Sequence, residues 1–535
     1  MRHVEIFDTT LRDGLQVEGV SATVDDKLRI AEQLDFLGVK FIEGGWPGAN
    51  PKDIEFFARA KNELVLATST LVAFGSTRRP RGKVDDDATL RNLIEADTSA
   101  VCIVAKSSEY QVVEALQTTL DEGAAMIADS VEYLTSQGRM VLVDLEHFFD
   151  GYKANPEFSL RAIEAAVVNG ATHLVLCDTN GGTLPTEVGR VVAEVKAHIG
   201  NDATIGIHCH DDTGCAVANS MAAVEAGAGH VQGTLNGLGE RTGNTNLTTV
   251  IPNLQLKLGY TCLPDGRIER LTAVSHHVAE TLNRAVNPQA PYVGSSAFAH
   301  KAGLHVSAIV RAKDAYEHVN PELVGNGTRF VVSEMAGRAT IQMKADEIGI
   351  ELDGAAINEV VDDLKRLEHE GYHFEAADAS LELLMRRAAG QVREFFRVES
   401  MRVITDELRG GEFTTEATVK VWVGEGDDAE RRVWVAEGNG PVNAIDTALR
   451  KAVGTMLPEL ADIHLTDYKV RILDGASATG STTRVLLSAS DGISDWTTIG
   501  VSPNIIEASW RALEDSLVYG LLHRSLRTAT PPAAD

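Results

Sequence analysis

TIGIHCHDD, residues 204–212, runs from a short apolar stretch straight into two histidines and two aspartates. Side chains alternate along a strand, so His208 and His210 share one face. The same design recurs through the first half of the chain: VEIFDTT (4–10), KFIEGGWP (40–47), LVLATSTL (64–71), AVCIVAKSS (100–108), MVLVDLEHF (140–148), HLVLCDTNGG (173–182) and HVQGTLNGLG (230–239). Each run ends in polar or glycine-rich residues and is followed by a helix-like segment. Strands apolar on both faces and separated by helices are parallel and covered on both sides. Eight of them predict a closed (β/α)8 barrel of about 250 residues. The other arrangement that fits is a doubly wound open sheet, but the first strand-to-helix turn lacks the GxGxxG of a dinucleotide fold.

A barrel concentrates its chemistry where strands end and loops begin. The unusual polar residues fall there: Arg12 and Asp13 after the first strand, Glu43 in the second, Glu146 in the fifth, Asp178 and Thr179 in the sixth, and Asn244 after the eighth. Two adjacent imidazoles repel as cations but can share a divalent ion as neutral ligands. With the Asp13 carboxylate and the Asn244 amide oxygen they leave a coordination position open, as in a catalytic site. This donor set suits one Mn2+, Zn2+, Co2+ or Mg2+. Cys209, between the histidines, faces away and packs.

Arg12 is either a salt-bridge partner or a group that holds a carboxylate or an oxyanion. Glu146 lies in an apolar run, so it is expected to be buried, with a partner or a raised pKa. That is the profile of an acid/base group or of a brace. The loop NGLGERTGNTN (236–246) allows close backbone approach to a ligand, or is a tight turn.

The chain has 535 residues and a formal charge of −28, which argues against nucleic acid and anionic membranes as partners. Five cysteines without a CxxC pair fit a reducing cytoplasm. The start MRHVEIFDTTLRDG has no apolar core of a leader, and no run of 18 apolar residues follows, so secretion and membrane spanning are not expected.

Three regions and a tail are expected: the barrel over 1–262, a mainly helical accessory region over 263–395, an α+β domain over 396–526 and a disordered tail over 527–535. INEVVDDLKRLEHEG (357–371) has helical spacing. EATVKVWVG, RRVWVAEG, YKVRILDG and TRVLLSASDG alternate as strands do. A strand followed by Gly438, Pro441 and a helix is echoed by a strand followed by Gly500, Pro503 and a helix. This suggests a pair of βββα units.

TLRDGLQ, DTNGG, HCHDD and NGLGERTGNTNL, in this order on eight βα units, resemble the 2-isopropylmalate, homocitrate and citramalate synthases. That family belongs to the barrel superfamily that holds HMG-CoA lyase. VDLEHFFDGYKANP (143–156) and AFAHKAGLHVSA (297–308) look most like its long-form citramalate synthases. The resemblance implies Asp13, His208, His210 and Asn244 as metal ligands. It implies Arg12, Glu43, Thr179 and Glu240 at the substrates, and Arg12, Glu146, His305 and Tyr316 in catalysis. Some members carry an aspartate where this chain has Ser307. The implied reaction joins acetyl-CoA to a small 2-oxo acid: pyruvate or, as the alternative, 2-oxoisovalerate. The resemblance also implies a cytoplasmic homodimer and a C-terminal domain that binds a branched-chain amino acid effector. A lyase using the same metal and a non-enzymatic amino-acid-binding protein are the rival readings. The large third domain argues against the first and the intact ligand set against the second.

Overall fold

The computed structural model describes residues 2–301, 305, 308–309, 311–312, 315–332, 336–407, 411–424, 426–473 and 475–529. Two compact units divide them. Residues 2–298 and 317–328 form the first; the described parts of 299–316 and 329–529 form the second.

The first unit contains a closed barrel as expected, but it also takes in 263–298 and 317–328, which were expected in the accessory region and whose Leu271, Val274, Val278, Val293 and Val324 join the barrel's outer core. Its eight parallel strands are β1 (Glu5–Asp8), β2 (Phe41–Gly45), β3 (Thr70–Ser76), β4 (Ala100–Lys106), β5 (Met140–Glu146), β6 (His173–Asp178), β7 (Thr204–Cys209) and β8 (His230–Gly233). Each pairs with the next, and β8 returns to β1 with Glu5 opposite His230. The helices start on local signals. Thr23 forms a capping box with Asp26 ahead of α1 (Val24–Leu37), and Asn50 caps α2 (Pro51–Glu63), which has proline in its first turn. The main core lies between strands and helices; Leu34, Ile42, Val101 and Leu174 are fully buried there. A smaller cluster of Phe7, Phe41, Val72, Phe74, Cys102 and Leu142 comes from the alternate strand positions and fills the barrel interior.

The third strand departs from expectation: it is Thr70–Ser76, not 64–71. Leu64 ends α2 by donating to the Ala60 carbonyl. Ala67, Thr68 and Ser69 then donate their backbone N–H groups to the Asp35 carboxylate of α1 at 2.7–3.0 Å. Those donors are unavailable to a strand ladder, so pairing begins at Thr70, opposite Phe41. Burial raises the Asp35 carboxyl, but the three N–H groups outweigh it and hold it below its ordinary value. Asp35→Ala is expected to cost about 2 kcal/mol, the scale of hydrogen bonds to a charged group, read from urea unfolding. Because the folded pKa is depressed, this contribution is present at neutral pH and lost as pH falls below the ordinary aspartate range.

In the second unit, helices Arg338–Glu347, Gly354–His369 and Asp378–Ala388 build a small core with Ile499 and Val501. The βββα duplication is present. An antiparallel sheet of β11 (Phe396–Glu407), β12 (Phe413–Val423) and β13 (Glu430–Gly438) precedes the helix Pro441–Val453. A second sheet of β14 (His464–Ile472), β15 (Thr483–Ser490) and β16 (Asp495–Ser502) precedes the helix Ile505–Ala529. The two short strands between the barrel and this unit's helices, Ala299–His300 and Arg329–Phe330, pair in parallel and complete the count as β9 and β10. The expected tail is helical as far as Ala529; residues 530–535 lie outside the described residues.

Candidate active site

Asp13, His208 and His210 converge. Asp13 follows β1, His208 lies in β7 and His210 sits one residue past its end. One ligand atom from each lies within 4.8 Å of the others, and all three residues are buried. His208 Nε2 is 3.3 Å from Asp13 Oδ2. Asn244 is brought alongside by a bridge to His210. Its Nδ2 donates to the Leu238 carbonyl at 3.2 Å, and its Oδ1 is buried without a hydrogen-bond partner, as is His210 Nδ1.

A hydrogen-bond chain fixes the orientation of His208. Gln232 Nε2 donates to Asp144 at 2.9 Å, which leaves Gln232 Oε1 to accept from His208 Nδ1 at 2.8 Å. His208 Nε2 therefore presents a lone pair to the Asp13 carboxylate. Two facing lone pairs need a cation or a proton between them, so the donor set fits a divalent ion. Burial and His208 push His210 down to about 4, leaving it neutral, the form that ligates. Asp13 is raised by burial, but Arg12 and then His208 hold it well below the carboxylate range. Gln232→Met keeps the volume but breaks the chain. Metal affinity is expected to fall about 10–100-fold, measured by competition with a chelating dye. Unchanged affinity would remove Gln232 from the site.

Arg12 is locked in place. Its Nε donates to Glu43 at 2.5 Å, and its guanidinium lies 3.9 Å from the Phe74 ring centroid. Burial raises the Glu43 carboxyl to about 7 even against the pull of Arg12, and Asp144 adds to the rise. Glu43 thus anchors Arg12 from below. Thr179 Oγ1 accepts the His147 N–H at 2.8 Å, which leaves its own proton free to donate. His147, Asn236 and Arg241 all have φ between 55° and 61°, so backbone strain gathers around this mouth.

Glu146 departs from expectation. It is partly exposed rather than buried, and it pairs with Lys106, its register partner at the end of β4. The buried acid in that strand is Asp144, two residues earlier, whose pKa burial raises. Asp178 serves structure: Thr183 donates to it from both backbone and hydroxyl, tying down the loop after β6. Glu240 is exposed at the rim beside Arg241.

The glycine-rich loop is a tight turn that seats Asn244. A Cβ on Gly239 would lie 2.2 Å from Asn244 Nδ2, and one on Gly243 would lie 2.0 Å from the Gly237 carbonyl. Cys209 is buried in the strand–helix core. His305 and Tyr316 belong to the second unit, with rings stacked 4.2 Å apart at 23°. Ser307 lies outside the described residues.

Arg12, Asp144, Glu146, Thr179, His208 and His210 line a cavity of about 260 Å³. Arg12, Gln16, Trp46 and Phe74 also line a neighbouring one of about 840 Å³. Lys106, Gln232 and Asp144 were not singled out from the sequence. Only Asp144 left a signal, as an acid inside an apolar run.

Comparison with known proteins agrees with this arrangement. Residues 3–278 match the HMGL-like family, 292–372 the homocitrate synthase post-HMGL domain-like family and 375–521 the LeuA allosteric (dimerisation) domain. The chain is 54% identical over 527 residues to an (R)-citramalate synthase of Streptomyces coelicolor, covering 98% of each. It is 50% identical to one of Aquifex aeolicus, covering 97% of this chain and 98% of that protein. A probable 2-isopropylmalate synthase of Methanopyrus kandleri is 34% identical, covering 95% and 96%.

Proposed function

Because this chain belongs to the HMGL-like family, in the group of the (R)-citramalate synthases, we propose that it condenses acetyl-CoA with pyruvate to give (R)-citramalate and free CoA. The observation that carries this reading is identity above half along nearly the whole chain, with Asp13, His208 and His210 gathered at one barrel mouth.

Asp13, His208 and His210, with Asn244 beside them, would hold a divalent ion, whose chemistry is to polarise a keto group. Arg12, held rigid by Glu43 and Phe74, faces the same cavity and neutralises the oxyanion that develops on the keto oxygen. The free hydroxyl proton of Thr179 donates to the carboxylate of the 2-oxo acid. A base takes a proton from the acetyl methyl group. Glu146, set beside Lys106, and His305, stacked on Tyr316, are the candidates. The methyl carbon then bonds to the keto carbon, and water hydrolyses the thioester with CoA as leaving group. The larger cavity, walled in part by Arg12, has room for the acyl-CoA arm.

No described helix is long and apolar enough to cross a membrane, in keeping with a cytoplasmic enzyme. On β13, Val433, Trp434 and Val435 are exposed, and on β14 so are Leu465, Val470 and Ile472. A homodimer through the C-terminal domain would cover them. A cavity of about 390 Å³ in that domain is lined by Leu465, Tyr468, Leu487 and Leu517, with the Asp446–Arg450 pair at 2.8 Å. It suits a branched-chain amino acid, isoleucine for an enzyme that feeds isoleucine synthesis.

Thiol release and product chirality, measured with pyruvate and with 2-oxoisovalerate, test the reading. Pyruvate is expected to give the higher kcat/KM by at least about tenfold, the discrimination open to a pocket that senses the added carbons. A preference for 2-oxoisovalerate would make the protein a 2-isopropylmalate synthase. Activity with neither would remove the proposal.

A further inference from the structure

At the other end of the barrel from Asp13 and His208, three strands begin with a side chain that can ligate a metal. Glu5 opens β1, His173 opens β6 and His230 opens β8. Glu5 and His230 are register partners where the barrel closes. β6 is separated from β8 by β7, yet one ligand atom from each of the three residues lies within 4.8 Å of the others.

The distances centre on one carboxylate oxygen. Glu5 Oε2 is 2.8 Å from His173 Nε2 and 3.8 Å from His230 Nδ1. His173 Nδ1 is engaged at 2.9 Å by Thr172 Oγ1, which fixes the ring and leaves Nε2 to face inward. His230 is fully buried, and neither of its ring nitrogens has a hydrogen-bond partner. A neutral imidazole carries one N–H and one lone pair, and burying the lone pair unpaired costs free energy that a bound cation would recover.

The surroundings are shaped to hold that ring. Gly206 is its register partner on β7, and a Cβ there would lie 2.8 Å from His230 Cδ2. His230 packs 5.4 Å from Phe7 and 5.1 Å from His173 between ring centroids. The Glu5 side chain keeps 23% exposure and leaves one side open to water. Burial pushes His230 down to about 4, so it is neutral. Burial raises the Glu5 carboxyl, but its contacts, the His173 hydrogen bond first among them, hold it below its ordinary range.

We propose that Glu5, His173 and His230 form a second divalent-cation site, suited to Zn2+, that clasps β1, β6 and β8 at the bottom of the barrel. Two imidazoles and one carboxylate are the donor set of a tetrahedral zinc site with water as fourth ligand. The site shares no residue with the catalytic mouth, so it stands whether or not the proposed reaction is correct.

The test uses the full chain, stripped with a chelator and titrated with Zn2+. Wild type is expected to take up two equivalents. Asp13→Ala, which disables the upper site, is expected to keep one, with Kd below about 10 µM, and to show a higher Tm when Zn2+ is added. Glu5→Gln preserves shape at a partly exposed position, and turnover is expected to be unchanged. In the Asp13→Ala background it is expected to weaken this remaining equivalent by about 100-fold or more and abolish the Tm gain. His230→Leu is the confirming variant if it folds. The proposal is overturned if Asp13→Ala binds no Zn2+, or if it binds Zn2+ equally well with and without Glu5→Gln.

Discussion

His208→Ala and Asp13→Ala each lower kcat by about a thousandfold or more, the loss expected when several kcal/mol of carbonyl polarisation disappear. Neither unfolds the barrel. His208→Ala leaves the Gln232 carbonyl without its partner, a cost of about 1–3 kcal/mol. Asp13→Ala removes a carboxylate whose burial is unfavourable apart from Arg12 and His208. Circular dichroism should therefore show a folded protein, elemental analysis should show the catalytic metal missing, and thiol release should be near background. Wild-type turnover in either variant under a strong chelator would end the metal-dependent reading.

Arg12→Leu has the second large effect, and it separates catalysis from stability. The arginine is the cationic partner of a fully buried Glu43. Removing it leaves a buried carboxyl alone, which costs about 3–5 kcal/mol when that group is ionised. The folded carboxyl holds its proton until about pH 7, against an ordinary value of 4.5, and losing Arg12 raises it further. A raised folded pKa means that folded protein binds the proton more tightly. Stability of Arg12→Leu should therefore fall as pH climbs through that window, and be greatest on its acid side. Arg12→Leu/Glu43→Gln replaces the ion by a neutral amide. It should regain most of the stability at neutral pH and none of the activity. If the double variant regained turnover, Arg12 would serve only to neutralise Glu43. If Arg12→Leu alone matched wild-type stability at every pH, the buried pair would not be what secures Glu43.

The barrel was legible because both faces of each strand are covered, which writes a continuous apolar run into the sequence at every turn of the repeat. β3 was misread for the same reason. LVLATSTLVAFGS contains two apolar runs back to back, and only the distant Asp35 decides which one pairs. The cluster of candidate metal ligands was legible because strand alternation aligns His208 with His210, and strand ends gather Asp13 and Asn244. What alternation cannot reveal is which residues meet across strands. Asp144 and Glu146 share a face and the same apolar surroundings in sequence. Yet Asp144 meets Gln232 inside, while Glu146 reaches the rim and meets Lys106. The inward ring of Glu5, His173 and His230 was hidden likewise, because each begins its run singly.

The seam between β8 and β1 has a consequence for synthesis on the ribosome. Asp13 is translated nearly two hundred positions before His208, and Asn244 comes later still. A nascent chain carrying only the first six strands has no neighbour for the free edge of β1 and lacks the His208 and His210 that sit beside Asp13. Capture of a cation by Asp13, His208 and His210 would therefore wait until β8 has left the exit tunnel and docked. From that moment an ion held there would act as a latch on the finished ring.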